Sequence, residues 1–204
     1  MYNPIEKLTE LFAKFPGIGP RQARRFVYYL LSKDTSVAAE LGEIILQLKK
    51  EIRQCQSCFC YFPADANSIE CEMCRDPQVD NSVLMVLEKN TDLENVKKSG
   101  VHHGRYFVLD GLVSMIEEKP NKHVRVRELI SQVKKLAAKG LKEIIVAVSV
   151  SPQGDYTVNY LREALSPLLG EKIKISTLGR GLSSGSELEY SDPETLRNAL
   201  KNRG

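Results

Sequence analysis

Cysteines stand at positions 55, 58, 71 and 74, in the pattern C-x2-C-x12-C-x2-C. Each C-x2-C pair lets two thiolates leave one tight turn toward a common point, and the intervening residues allow a short loop to return with the second pair. The spacing therefore predicts one zinc ion per chain, held tetrahedrally by Cys55, Cys58, Cys71 and Cys74. Four thiolates fill the shell and leave no position for water or substrate. The expected ion is structural, and the chemistry of the protein lies elsewhere.

A fifth cysteine, Cys60, makes the number odd, which argues against a disulfide framework. The first residues, MYNPIEKL, lack the basic n-region and apolar h-region of a signal peptide, so a reducing cytoplasm is the expected compartment. A thioredoxin-like site would need one C-x2-C pair beside a strand and a helix, not two pairs flanking one loop. Cys60 could replace Cys58 as a ligand, but C-x4-C closes a looser turn, and a bystander thiol is expected there.

The chain has 204 residues, of which 42% are hydrophobic and 27% charged, enough for one large core or a few small ones. Its longest apolar runs, such as Ile144 to Val148, fall well short of the roughly 20 residues a bilayer requires, and no membrane association is expected. A net charge of only +3 means that any nucleic-acid surface must be local. Such a patch is present. Between Leu11 and Lys33 lie Lys14, Arg21, Arg24, Arg25 and Lys33, with no acidic residue until Asp34. Most charge runs are solvated faces of mixed sign; this one has a single sign.

Apolar residues at helical spacing mark three stripes: Ile5, Leu8, Leu11 and Phe12; Ala23, Phe26, Val27, Leu30 and Leu31; and Val37, Leu41, Ile44, Ile45, Leu48 and Ile52. Between the first two lies Pro16-Gly17-Ile18-Gly19-Pro20, a tight connector. Its two glycines, one residue apart, can take positive φ and bring backbone N–H groups up to a phosphate. Pro20 suits the first position of the next helix, whose N-terminal dipole favours an anion, and Ala23 permits close helix approach. Arg21 and Arg25, four apart, share one helix face. This stretch resembles a helix-hairpin-helix motif, which grips the DNA backbone without reading bases. The basic run that follows favours DNA binding, through Lys14, Gly17, Gly19, Arg21, Arg24 and Arg25, over a hairpin that only packs helices or binds protein. Of Tyr28 and Tyr29, one is expected buried and one half-exposed.

From Val83 the pattern changes. Val83–Glu88, Arg105–Leu109, Glu143–Ser149 and Lys172–Thr177 read as strands, and Leu93–Lys98, Val126–Ala138, Tyr156–Leu169 and Pro193–Lys201 as helices. Consecutive apolar residues in strands separated by helices predict a parallel sheet covered on both faces. The fold class is thus α+β and multidomain: a helical hairpin region at 1–54, a four-cysteine module at 55–80, an α/β parallel-sheet domain at 81–178, and a C-terminal glycine-rich segment and helix at 179–204.

Glu88 falls at the carboxyl edge of the first strand, where open α/β sheets bind ligands. A carboxylate there could hold magnesium, as in the Toprim fold that this alternation resembles, and a magnesium-dependent Toprim nuclease or primase using Glu88 is the alternative reading. Such catalysis needs paired aspartates on a later strand, whereas Ser149 and Ser151 occupy those places, and Asp155 is expected in a loop beyond the strand. His102, His103 and His123 are expected at the surface. The stretch Gly179 to Tyr190 lacks G-x4-G-K-[ST] and reads as a flexible connection, of the kind that swaps between subunits.

The order of these parts resembles the bacterial RecR family of recombination mediators over essentially the whole chain. The matching residues are Pro16 to Pro20, the four cysteines, Val86-Leu87-Glu88 with Asp92-Leu93, Tyr106 to Gly111, Arg180 to Tyr190, and Asp192 with Thr195 and Leu196. The resemblance implies a non-enzymatic protein of recombinational DNA repair that acts with RecO and RecF to load RecA onto single-stranded gaps. It implies a ring-shaped homotetramer around DNA, assembled through the N-terminal helices and an exchanged C-terminal segment, in the cytoplasm and on the nucleoid. It places DNA contacts on Arg21 and Arg25, and RecO-related acidic positions on or near Glu88, Asp92 and Asp155. The chain departs from the family in reading Ser149-Val150-Ser151-Pro152-Gln153-Gly154-Asp155 where Asn-Pro-Thr-x-Glu-Gly-Glu is usual, and in reading Gln78-Val79-Asp80 where an arginine is normally found shortly after the last cysteine.

Overall fold

Asn3 opens the first helix: its side-chain oxygen accepts from the Ile5 N–H at 3.1 Å, and Pro4 follows at the first helical position, where its missing N–H costs nothing. The structure, a computed structural model, describes residues 3–63, 68–116, 124–170, 172–182, 185 and 187–201. It divides into two compact units, residues 1–53 and 54–204.

The first unit holds α1 (Pro4–Phe12), α2 (Pro20–Leu31) and α3 (Thr35–Glu51). Gly17, at φ +76°, turns the chain between α1 and α2, a conformation glycine adopts without a Cβ penalty. Ala23 and Val27 are buried at the contact, and the Phe12 ring meets Phe26 edge-on, 5.9 Å between centroids. In contrast, α3 buries none of its side chains. The apolar stripe from Val37 to Leu48 is therefore a solvent-exposed face. Ile52, placed on that stripe by periodicity, instead leaves the helix at φ −94°, ψ 127° and begins β1 (Ile52–Gln54), which pairs with β2 (Tyr61–Pro63).

The second unit is built on a four-stranded parallel sheet of order β4-β3-β5-β6: β3 (Asp80–Leu87), β4 (Gly104–Val108), β5 (Glu143–Ala147) and β6 (Lys174–Thr177). Alternate residues face opposite sides. Leu84, Val86, Phe107, Ile144 and Val146 share one core with α6 (Val126–Ala137) and α7 (Pro152–Leu169). On the other side Met85, Leu87, Tyr106 and Val108 form a second core with Leu93 of α5 (Asn90–Ser99) and with Cys55, Cys58, Cys60, Phe62 and Cys71. The cysteine segment, with its single-turn α4 (Glu72–Arg75), thus packs on the sheet, and its apolar interior continues into that of the sheet. The Val108 N–H donates to the Cys58 carbonyl at 2.9 Å, joining the two. A 3-10 turn (Leu188–Tyr190) and α8 (Pro193–Lys201) end the chain.

Asp155, expected in a loop, lies in the first turn of α7. Ser151 caps that helix by accepting from the Gly154 N–H at 3.0 Å, and Pro152 occupies the first helical position. Gly154 is required there, because a Cβ would run into the Ser149 carbonyl.

Candidate nucleic-acid interface and metal centre

At the hairpin, Gly19 is extended (φ −81°, ψ 165°) and α2 starts directly after it at Pro20. The Gly19 carbonyl accepts from Gln22 and Ala23 at 3.0 and 2.9 Å, fixing the first turn, which contains no acidic residue. Gly19, Arg21, Gln22 and Arg25 line one depression of about 560 Å³. All five cations of the run, Lys14, Arg21, Arg24, Arg25 and Lys33, are exposed or partly exposed, but Lys14, Arg24 and Gly17 are not among the lining residues. Lys33 lies over the Tyr29 ring at 5.0 Å. Tyr28 and Tyr29 are both 56% exposed, so neither is buried: α1 packs on Ala23 and Val27, and the tyrosines fall outside that contact. The arrangement offers two guanidinium groups beside a helix N-terminus, a site suited to phosphate.

The four cysteine sulfurs lie within 4.8 Å of one another, with Cys55, Cys58 and Cys71 buried and Cys74 partly exposed; among the described residues this is the only such group of three or more potential metal ligands. Two turns shape it. Phe59 donates to the Cys55 carbonyl at 3.0 Å and Cys55 to the Cys60 carbonyl at 2.9 Å, while Cys74 and Arg75 donate to the Cys71 carbonyl at 3.0 and 3.1 Å. The Cys71 N–H also donates to the Cys55 sulfur at 3.4 Å, which favours a thiolate there. The hydrogen bond with Cys58 is the largest influence on Cys55 and holds its thiol far below the ordinary value, while the same bond pushes Cys58 up to about 12. Sulfurs so crowded cannot all ionise without a cation. Four thiolates with no oxygen ligand suit a soft or borderline ion such as zinc.

Arg105, from β4, braces the second turn. It donates to the carbonyls of Met73 and Cys74 at 2.9 Å each, to that of Asp76 at 3.3 Å, and to the Asn81 side chain at 2.9 Å. Nothing in the sequence singled this arginine out, since its partners at the turn are backbone groups about thirty residues away. His102, expected at the surface, is half-buried: its ring meets Tyr106 edge-on at 4.8 Å, and burial lowers its pKa although a hydrogen bond with the Arg105 carbonyl opposes this. His103 is exposed, and His123 lies outside the described residues.

The three acidic residues meet different partners. Glu88, only 6% exposed, accepts from the Ser149 N–H at 3.2 Å and pairs with Lys89 at 2.9 Å. Burial raises its pKa, but the bonds with Lys89 and Ser149 outweigh that and keep the carboxyl below its ordinary value. Asp92 accepts from the Lys89 N–H at 3.0 Å and closes the start of α5. Asp155 pairs with Arg180. Ser149 thus contributes its backbone N–H to the glutamate that directly follows β3. Within the segment Gly179 to Tyr190, Ser183, Ser184 and Ser186 lie outside the described residues.

A helix-hairpin-helix, a four-cysteine centre and a parallel Toprim-type sheet define a class of multidomain DNA-metabolism protein, and the comparisons narrow it. Family models match in chain order: RecR helix-hairpin-helix at residues 5–49, Toprim domain at 82–179, and RecR C-terminal at 181–203. The chain is 34% identical to recombination protein RecR of Bdellovibrio bacteriovorus, over 98% of its own length and 97% of that protein. It is 36% identical to the RecR proteins of Desulfatibacillum aliphaticivorans and Carboxydothermus hydrogenoformans, over 99% and 98% of its length and 97% and 96% of theirs. The chain belongs to the RecR family of recombination proteins. Among the described residues no helix is long and apolar enough to cross a membrane.

Proposed function

We propose that this chain is a non-enzymatic DNA-binding mediator of recombinational repair, which works with RecO and RecF to load RecA onto single-stranded gaps. The observation that carries the reading is the hairpin: Arg21 and Arg25 line one depression with Gly19 at the acid-free start of α2. Such a surface holds phosphates by charge and does not read sequence. Lys14 and Arg24 extend the positive field around it. The cysteine centre would hold one zinc ion through Cys55, Cys58, Cys71 and Cys74. When bound, the ion supplies folding free energy on the order of 10 kcal/mol and keeps two turns of chain against the sheet. The exposed apolar face of α3 supports assembly into a homo-oligomer, in the family's form a ring tetramer. Asp92 and Asp155 are partly accessible for contact with RecO, while Glu88, nearly buried, would act by positioning Lys89 and Ser149.

Gel-shift titration at several salt concentrations tests the DNA reading. Arg21→Ala with Arg25→Ala lowers affinity and flattens the salt dependence, by roughly 0.9 in log–log slope for each duplex phosphate that the variant no longer neutralises. Unchanged affinity in a folded double variant overturns it.

A further inference from the structure

On α2 the cations and the tyrosines fall into register. Arg21, Arg25 and Tyr29 follow one another at intervals of four, and Lys33 continues the interval just past the end of the helix. Residues so spaced are neighbours on one side of a helix, each about 6 Å further along its axis. Arg24 and Tyr28 repeat the interval in the adjacent row. All six side chains are exposed.

The other ring of this helix behaves differently. Phe26 turns to Phe12, which also meets Phe15, and these three make the ring contacts of the hairpin. Tyr28 and Tyr29 stay outside that contact, more than half exposed. The Lys33 ammonium lies over the Tyr29 ring, which holds the ring in place and sets a further cation beside it. Apolar side chains scattered singly on a surface need no explanation. Two adjacent exposed rings inside a run of cations of one sign are a different case, because they join the two elements that hold single-stranded nucleic acid: charge that follows the backbone, and ring faces on which unpaired bases stack.

A duplex and a single strand present the same phosphates to Arg21 and Arg25, but only the single strand has base faces free to meet a side chain. We propose that Tyr29, flanked by Tyr28, is a base-stacking platform continuous with the arginines of the hairpin, and that it makes this surface prefer single-stranded over duplex DNA. Stacking tolerates any base, so the preference is for strandedness and not for sequence. The inference rests on the reading of the hairpin as a DNA-binding surface.

The test is equilibrium binding by the full-length chain, followed by fluorescence anisotropy, of three labelled probes of equal length: a single strand of mixed sequence, its duplex, and an abasic sugar-phosphate strand. The wild type binds the single strand more tightly than the abasic one. In Tyr29→Ala the single-strand affinity falls at least about fivefold, while affinity for the duplex and the abasic strand stays at the wild-type value. The salt dependence is unchanged, because a stacked ring displaces no counterions. Tyr29→Leu, which keeps apolar bulk and helix propensity without a ring face, behaves as Tyr29→Ala, and Tyr29→Phe behaves as the wild type. Equal loss on all three probes, or loss on none, overturns the inference. So does a lower mass of Tyr29→Ala in light scattering, which would place the ring in a contact between subunits. Arg21→Ala with Arg25→Ala separates the two readings: weaker binding of all three probes keeps the hairpin as a DNA site whatever Tyr29 does, and unchanged binding overturns that site and this inference with it.

Discussion

Arg180 donates to both carboxylate oxygens of Asp155, so the start of the C-terminal segment is tied to the first turn of α7. Asp155 also sits where the helix dipole favours a negative charge. Both side chains are partly exposed, 27% for Arg180 and 48% for Asp155, and solvent screens the pair to below about 1 kcal/mol. Arg180→Ala is expected to speed amide exchange in residues 187–201 while lowering Tm by less than about 4 °C. The hydrogen bond from Arg180 holds the Asp155 pKa below its ordinary value. A depressed carboxylate pKa contributes stability that is present above the unfolded value near 3.9 and is lost as pH falls through the folded one. The protection of residues 187–201 should accordingly weaken only below about pH 4, and Asp155→Asn should remove that pH dependence. Identical exchange in wild type and both variants would exclude the tie.

Arg105 offers a sharper test, because its donors go to backbone carbonyls of the second cysteine turn. In Arg105→Leu those carbonyls lose their partners, at a cost of about 1–3 kcal/mol. Groups that orient metal ligands from behind typically contribute about 10–100-fold in metal affinity. Competition against a chelator should show a loss in that range, with Arg105→Lys intermediate because a single ammonium cannot reproduce the fork. Wild-type affinity in Arg105→Leu would show that the turn holds its shape without it.

The parallel sheet was legible in the sequence because its strands are apolar on consecutive residues, and Val83 to Leu87 or Glu143 to Ala147 admits no helical face. The four cysteines were legible because two C-x2-C turns leave few alternatives. The beginning of α7 was not: Gly154 reads as a breaker, and only its close approach to the Ser149 carbonyl explains it. The three-residue strands β1 and β2 are too short for a periodicity to register. The Glu88–Ser149 bond depends on β3 lying beside β5, with Leu87 opposite Ala147. Such cross-strand neighbours become visible only once register is known, which is also why Arg105 carried no signal.

That bond separates a structural glutamate from a catalytic one. In Glu88→Gln the amide oxygen still accepts from Ser149, while the charge facing Lys89 is gone, so stability should fall by about 1 kcal/mol in denaturant unfolding. DNA affinity in the gel shift should stay at the wild-type value. Magnesium-dependent cleavage or synthesis on DNA by the wild type that disappears in Glu88→Gln would instead establish the Toprim enzyme reading.

Leu41, Ile44, Ile45 and Leu48 recur at helical spacing along α3, are 41–56% exposed, and α3 buries no side chain within its own chain. A face of this kind, left in water, would forgo roughly 1.5–3 kcal/mol for each side chain that full burial could shelter. A second copy of the chain is the partner the family resemblance implies, and charge can decide it. Ile44→Glu places a carboxylate where an assembled subunit would have to desolvate it, a cost that association does not recover without a paired cation. Light scattering should show a mass reduced from the wild-type oligomer toward the monomer. Circular dichroism should show unchanged helix, since the side chain it replaces is not packed inside its own chain. Wild-type mass in Ile44→Glu would mean that the subunits meet elsewhere and that α3 serves a different partner.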